Sequence, residues 1–112
     1  MDIVTASRLA GQYCWVEQQL FSLLGSWMHR SNDPDLVVAL GDRCTRHGEH
    51  AEAWRGRIAT VAAIDVERAV NAPDSPVASA IARLRQPDSA DDVVALAAAY
   101  DNEVRPAVLA AY

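Results

Sequence analysis

The sequence predicts an all-α fold, arranged as a single antiparallel helical bundle. Apolar residues recur at helical spacing through most of the 112 residues, and no segment shows the strict alternation of a β-strand. The composition agrees, because 51% hydrophobic residues with only five glycines is typical of a helix-rich globular chain. A chain of this length is expected to form one domain, residues 1–112.

The first two helices are long and are joined by a short turn. We expect the first over residues 2–29 and the second over 34–70. Asp33 suits the N-cap of the second helix and Pro34 its first position, where the missing N–H of proline costs nothing. A connection this short makes the two helices antiparallel neighbours.

Two further helices are expected, a short one over 76–85, capped by Ser75, and a C-terminal one over 89–112. Pro106 is expected to kink the last helix near Asn102, because the proline ring displaces the hydrogen bond to that carbonyl.

Charge and cysteine usage exclude several classes of protein. The net charge is −5 and no block of basic residues is present, which argues against nucleic acid or an anionic membrane surface as a partner. No apolar run is long enough to span a bilayer, and the N-terminal residues lack a secretion signal. Cys14 and Cys44 lie within helical patterns at different heights, so we expect free thiols in a cytoplasmic protein.

The segment H-G-E-H, residues 47–50, carries the most information about function. It places His47 and His50 one helical turn apart on the apolar face of the second helix. Counting across the turn brings Glu17 to the level of His47 and Cys14 to the level of His50. A carboxylate inside an apolar stripe needs a partner, because burying it alone costs several kcal/mol.

Three interpretations of this cluster stay open. The histidines are core-edge residues bonded to Glu17 and to backbone groups, or ligands of a metal ion, or an acid/base couple. Glu103 in the last helix is a further candidate ligand, although its neighbours Asp101 and Arg105 indicate a polar surface. Asp42 and Arg43 are expected to face solvent. The sequence assigns no catalytic residue and names no reaction.

Three segments carry a resemblance to a known family. Residues 13–27 read Y-C-W-V-E-x-x-L-F-x-L-L-G-x-W, residues 47–54 read H-x-x-H-A-E-x-W, and the third segment is 100–112. They resemble the ferritin-like superfamily, and more narrowly a group of uncharacterised bacterial ferritin-like proteins. The resemblance implies a carboxylate of one helix beside a ligand pair on the next. Imidazole and carboxylate ligands suit iron, manganese or zinc.

The chain departs from the family pattern in two respects. His47 stands where a di-iron site would have glutamate. The fourth helix of the family, which would bring the second set of ligands, has no counterpart in the predicted helices of this sequence. The ferritin-like bundle is therefore expected to be incomplete within one chain, so that a second chain would have to complete a two-metal site.

Two aromatic residues are predicted to lie at an interface. Trp15 is the one large apolar residue of an otherwise polar, outward stripe of the first helix, and Tyr112 ends the last helix without a closing residue.

The preferred hypothesis is a small ferritin-like subunit, non-catalytic or co-catalytic, that forms a homo- or hetero-oligomer. The alternative is a metal-dependent oxidoreductase whose Glu17, His47 and His50 site is completed by a second chain. A weaker alternative is a metal-free enzyme subunit that uses the same cluster for proton transfer.

Overall fold

The computed structural model describes residues 2–58, 66–74, 76–85 and 93–111, and all regular secondary structure in these ranges is helical. The all-α prediction is thereby confirmed. The helices are α1 (Ile3–Arg30), α2 (Pro34–Ile58), α3 (Val66–Ala69), α4 (Pro76–Leu84), α5 (Val93–Ala99) and α6 (Arg105–Ala111), with a π-helical turn (Tyr100–Val104) between α5 and α6. Within the described ranges, none of the helices is both long and apolar enough to cross a membrane.

The predicted bounds hold closely for α1 and α4, which differ from the expected ranges by one residue at an end. Residues 59–65 of the predicted second helix lie outside the described residues. The same is true of Ser75 and of residues 89–92, so the predicted cap and the start of the last helix are untested there.

Side-chain caps fix the turn between α1 and α2. The Asp33 carboxylate accepts the backbone N–H of Asp35 at 3.0 Å and that of Leu36 at 3.5 Å, which confirms the predicted N-cap. The Ser31 hydroxyl in turn accepts the N–H of Asp33 at 3.2 Å. These bonds pair backbone donors that a helix start otherwise leaves unpaired.

Contacts between α1 and α2 run in opposite order along the two helices. The Cys44 thiol, in the first half of α2, donates to the Phe21 carbonyl at 3.2 Å. The Cys14 thiol, earlier in α1, donates to the carbonyl of Ala51, later in α2, at 3.5 Å. Both cysteines are buried, and neither is in a disulfide bond, as the sequence predicts.

One core holds the described helices together. Its buried residues come from α1, α2, α4, α5, the π-helical turn and α6, and include Leu20, Leu24, Trp27, Leu40, Ile81, Leu96, Tyr100 and Val104. Trp15 is half-buried and packs against this core. The expectation of an exposed Trp15 is therefore wrong, because the stripe that carries it turns partly inward.

The predicted irregularity in the last helix takes the form of a π-helical turn. The N–H of Arg105 donates to the carbonyl of Tyr100, five residues earlier. Pro106 follows directly, and it has no N–H to donate to Asn102. The wider turn accommodates the proline within a continuous helical segment. It also sets the positions of Tyr100 and Val104, which are both buried.

Candidate metal centre

A buried carboxylate lies at the centre of the site. The apolar stripe of α1 carries Glu17 inward, and its side chain is only 1% exposed. One carboxylate oxygen contacts Nδ1 of His47, which is also buried, and the other lies 3.6 Å from Nδ1 of His50, which is exposed. Counting residues from the turn predicted that Glu17 and His47 lie at the same height along the two helices, and their contact confirms this. The paired imidazole offsets the cost of burying the carboxylate.

The second nitrogen of His47 is also engaged. Its Nε2 lies 2.5 Å from the hydroxyl of Tyr100, which is buried in the π-helical turn. Glu17, His47 and Tyr100 therefore form a continuous polar chain across α1, α2 and the C-terminal segment. Buried polar chains of this kind are stable only when each member has a partner.

The protonation of Tyr100 sets the direction of this chain. Burial raises the pKa of Tyr100 to about 12. The positive charges of Arg43 and Arg105 reduce this effect, and the negative charge of Glu17 increases it. The phenol consequently stays protonated at neutral pH, and its O–H donates a hydrogen bond to Nε2 when that nitrogen carries no proton. Nδ1 of His47 then carries the ring proton and donates a hydrogen bond to Glu17.

Replacing Tyr100 with phenylalanine is expected to reduce the loss of stability at alkaline pH. Above about pH 10 the unfolded chain releases this proton, whereas the folded chain keeps it up to about 12. The contribution of Tyr100 is therefore present below pH 10 and falls by about 1.4 kcal/mol per pH unit as the pH rises toward 12. Urea unfolding of both proteins between about pH 9 and pH 11 measures the difference. Equal slopes in the two proteins would contradict this assignment.

The donor atoms of the cluster are close enough to share one ion. One ligand atom each from Glu17, His47 and His50 lies within 4.8 Å of the others. Divalent ions such as zinc hold nitrogen and oxygen ligands at about 2.0 to 2.2 Å, so small side-chain shifts would close the set. With an ion on Nδ1, His47 would carry its proton on Nε2 and donate it to the Tyr100 oxygen, which is the kind of outer contact that orients a histidine ligand. The residues therefore fit a divalent metal.

A pocket of about 520 Å³ opens beside the cluster. Its size is within the range of small-molecule sites. Glu17, His47, His50 and Tyr100 form part of its wall, and the remaining lining residues are Asp42, Arg43, Arg46, Arg105, Val108 and Leu109. The cluster is thus accessible from a cavity as well as through the exposed His50.

Arg43 links α2 to the C-terminal segment at this pocket. Its guanidinium lies 2.8 Å from the carboxylate of Asp101 and 5.7 Å from the centre of the Tyr100 ring. Arg105 shares Asp101 at 3.6 Å. The expectation that Arg43 belongs to an ordinary solvated face is therefore wrong, because the residue is half-buried against the C-terminal segment. The spacing of residues along α2 alone does not reveal this contact.

Glu103, the other predicted ligand, is not brought to the cluster. Glu103 is exposed and lies 3.6 Å from the guanidinium of Arg83, apart from Glu17 and the histidines. Its candidacy as a ligand within this chain is not supported. Tyr112 lies outside the described residues, so its predicted interface role stays a prediction.

Sequence reasoning missed four residues of the site, Arg43, Arg46, Tyr100 and Arg105. For three of them a signal was present. Positions 43, 46, 47 and 50 have the spacing that places residues on one face of a helix, so both arginines accompany the histidines. A tyrosine within an apolar stripe also needs a partner for its hydroxyl, which pointed to Tyr100.

The fold and the site together define an all-α protein with a cluster of two histidines and one carboxylate beside a pocket. Comparison with known proteins gave no family model, no curated protein and no solved structure that matches this chain significantly. The function is therefore argued from the geometry of the site.

Proposed function

We propose that this protein is a divalent-metal protein whose centre consists of Glu17, His47 and His50. The observation that carries the proposal is the convergence of three donor atoms from α1 and α2 within 4.8 Å, on the wall of a pocket. Two imidazoles and one carboxylate with free coordination positions are the ligand set of non-haem iron(II) sites. Manganese and zinc accept the same donors.

We further propose that the fold is an antiparallel bundle of the ferritin-like type. The opposite order of contacts along α1 and α2 supports it, as does a carboxylate of one helix beside a histidine pair on the next. The set of three ligands favours one ion in each chain over the pair of ions of a di-iron site. Free coordination positions are then left for water, for a small molecule or for a residue of a second chain.

The residues of the chain have distinct tasks in this proposal. A bound iron ion would supply redox chemistry to an oxidoreductase, and a zinc ion would supply a Lewis acid. Glu17 and His47 hold a fixed, buried half of the centre, and Tyr100 orients His47 through its hydroxyl. His50, which is exposed, forms the half that can adjust.

Titration of the metal-free protein with zinc, and with cobalt(II) followed by visible absorption, tests the proposal. His50→Ala is expected to lower the affinity at least about a hundredfold, since even outer contacts to a ligand are worth ten- to a hundredfold. Its stability is expected to change little, because His50 is exposed. His29→Ala, at the exposed end of α1, is the matched control and should bind as wild type. Equal affinity in the His50 and His29 variants would refute the metal centre and leave proton transfer through Glu17, His47 and Tyr100 as the alternative.

A second candidate function is assembly as a subunit, with a second copy or with a different chain. The observation that favours it is the 72% exposure of Leu109, an apolar residue at the edge of the pocket and on the last helix. Size-exclusion chromatography with light scattering is expected to show an oligomer that Leu109→Ser weakens. A wild-type chain that stays monomeric up to high concentration would contradict self-assembly.

A further inference from the structure

The charges around the pocket differ from those of the chain as a whole. The chain carries a net charge of −5, yet Arg43, Arg46 and Arg105 all line this one cavity. Each arginine has a carboxylate partner, Asp101 for Arg43 and Arg105, and Asp42 for Arg46. Three guanidinium groups thus share two carboxylates, which leaves an excess of one positive charge. The carboxylate of Glu17, which also lines the pocket, balances this excess, so the arginines offer an anion hydrogen-bond donors rather than a net charge.

Two of the arginines have donors to spare. Arg46 and Arg105 are more than half exposed, and their ion pairs are long, at 3.4 and 3.6 Å. Arg43 is held tightly at 2.8 Å from Asp101 and is less exposed. A guanidinium carries five N–H donors in a planar fork that matches a carboxylate. Arg46 and Arg105 can therefore take an additional anion, while Arg43 and Asp101 hold the two helices in place.

The same wall of the pocket has an apolar part. Val108 and Leu109 follow Arg105 on α6, and Leu109 is largely exposed beside the guanidinium groups. A molecule bound there would meet positive charge at one end and an apolar surface at the other. Pockets for small molecules combine apolar walls with a few charged groups in this way.

We propose that the pocket binds a small organic monocarboxylate, with its carboxylate on Arg46 and Arg105 and its apolar body against Val108 and Leu109. A monoanion is favoured over a phosphate dianion, because the carboxylates of Glu17 and Asp42 in the same lining repel a second negative charge more strongly. The inference rests on the proposed metal centre in one respect, since the bound molecule would lie in the pocket that Glu17, His47 and His50 also line. It names the class of small molecule on which that centre would act.

Binding of benzoate and of its neutral analogue benzamide to metal-free protein, measured by NMR titration, tests the carboxylate site. Benzoate is expected to bind at least about tenfold more tightly than benzamide, because charge-assisted bonds to guanidinium are about twice as strong as neutral ones. Arg46→Gln and Arg105→Gln should each weaken benzoate binding about five- to tenfold. Arg30→Gln, an exposed residue at the end of α1, is the matched control and should leave it unchanged.

A further variant and further ligands test whether benzoate binds through the proposed contacts. Leu109→Ser should weaken benzoate but not acetate, which lacks an apolar body. Equal binding of benzamide, benzoate affinity unchanged in both arginine variants, or tighter binding of inorganic phosphate would each overturn the inference. Zinc binding without benzoate binding would overturn it and leave the metal centre intact. Benzoate binding without zinc binding would support the carboxylate site and refute the metal centre.

Discussion

Replacing His47 with leucine is expected to lower the free energy of unfolding by about 3 to 5 kcal/mol, the usual cost of leaving a buried charge without its partner. The substitution leaves the Glu17 carboxylate, only 1% exposed, without its closest partner. It also leaves the Tyr100 hydroxyl without the nitrogen that it contacts. Urea unfolding of the metal-free proteins measures the loss. His50→Ala gives the comparison for a histidine of the same cluster that is exposed, and its cost is expected to be small.

A triple substitution shows whether the buried charge is the cause. Changing Glu17 to methionine and Tyr100 to phenylalanine in the His47→Leu protein replaces the whole polar chain with apolar groups of similar size. Most of the lost stability is expected to return, because well-packed apolar residues often match or exceed a buried ion pair. A triple variant as unstable as His47→Leu alone would show that packing, and not the unpaired carboxylate, determines the loss.

Recovery in the triple variant would also bear on function. A fold that is as stable without Glu17, His47 and Tyr100 does not need this polar chain for its own stability. These three polar side chains would then be retained for what they bind or for the proton that they move. The triple variant should also have lost its affinity for zinc.

The all-α class could be predicted from the helical spacing of the apolar residues, and the pairing of Glu17 with His47 could be predicted from the short turn between their helices. The three-residue connection between α1 and α2 allows little freedom, so residues can be paired by counting from the turn. Glu17 and His47 meet where counting puts them. The stretch of chain between α2 and the C-terminal segment is much longer, and counting carries no information across it. The contact of Tyr100 with His47 was therefore beyond reach.

Glu103 illustrates a second limit. In a regular α-helix a residue three positions from Tyr100 lies on the same face, which made Glu103 a candidate ligand. The π-helical turn that precedes Pro106 is wider than an α-turn, so residues three apart no longer superpose. Tyr100 faces His47, and Glu103 instead lies near Arg83 in α4. The proline predicted an irregularity at this place but not the residue that would face the site.

Glu17→Gln is expected to separate the two roles of the buried carboxylate. The amide keeps the size of the side chain and an oxygen that accepts the N–H of His47, so the helices should still form. It has no charge and is a weaker ligand for a transition-metal ion than a carboxylate. The affinity for zinc and cobalt(II) should therefore fall at least about a hundredfold, more than the loss of an outer contact to a ligand. Titration of the metal-free variant, with circular dichroism to check helicity, measures both roles.

Glu49→Gln is the matched control for this change. Glu49 lies between the two histidines in sequence, but it is exposed and makes no part of the three-residue cluster. The Glu49→Gln substitution removes the same charge as Glu17→Gln, from a residue next to the two histidines in sequence. A general electrostatic effect would therefore lower the metal affinity in both variants. Loss in Glu17→Gln alone would identify the buried carboxylate as a ligand. Equal affinities in the two variants would mean that Glu17 only orients His47, and a centre of two histidines would have too few protein ligands to account for a bound ion.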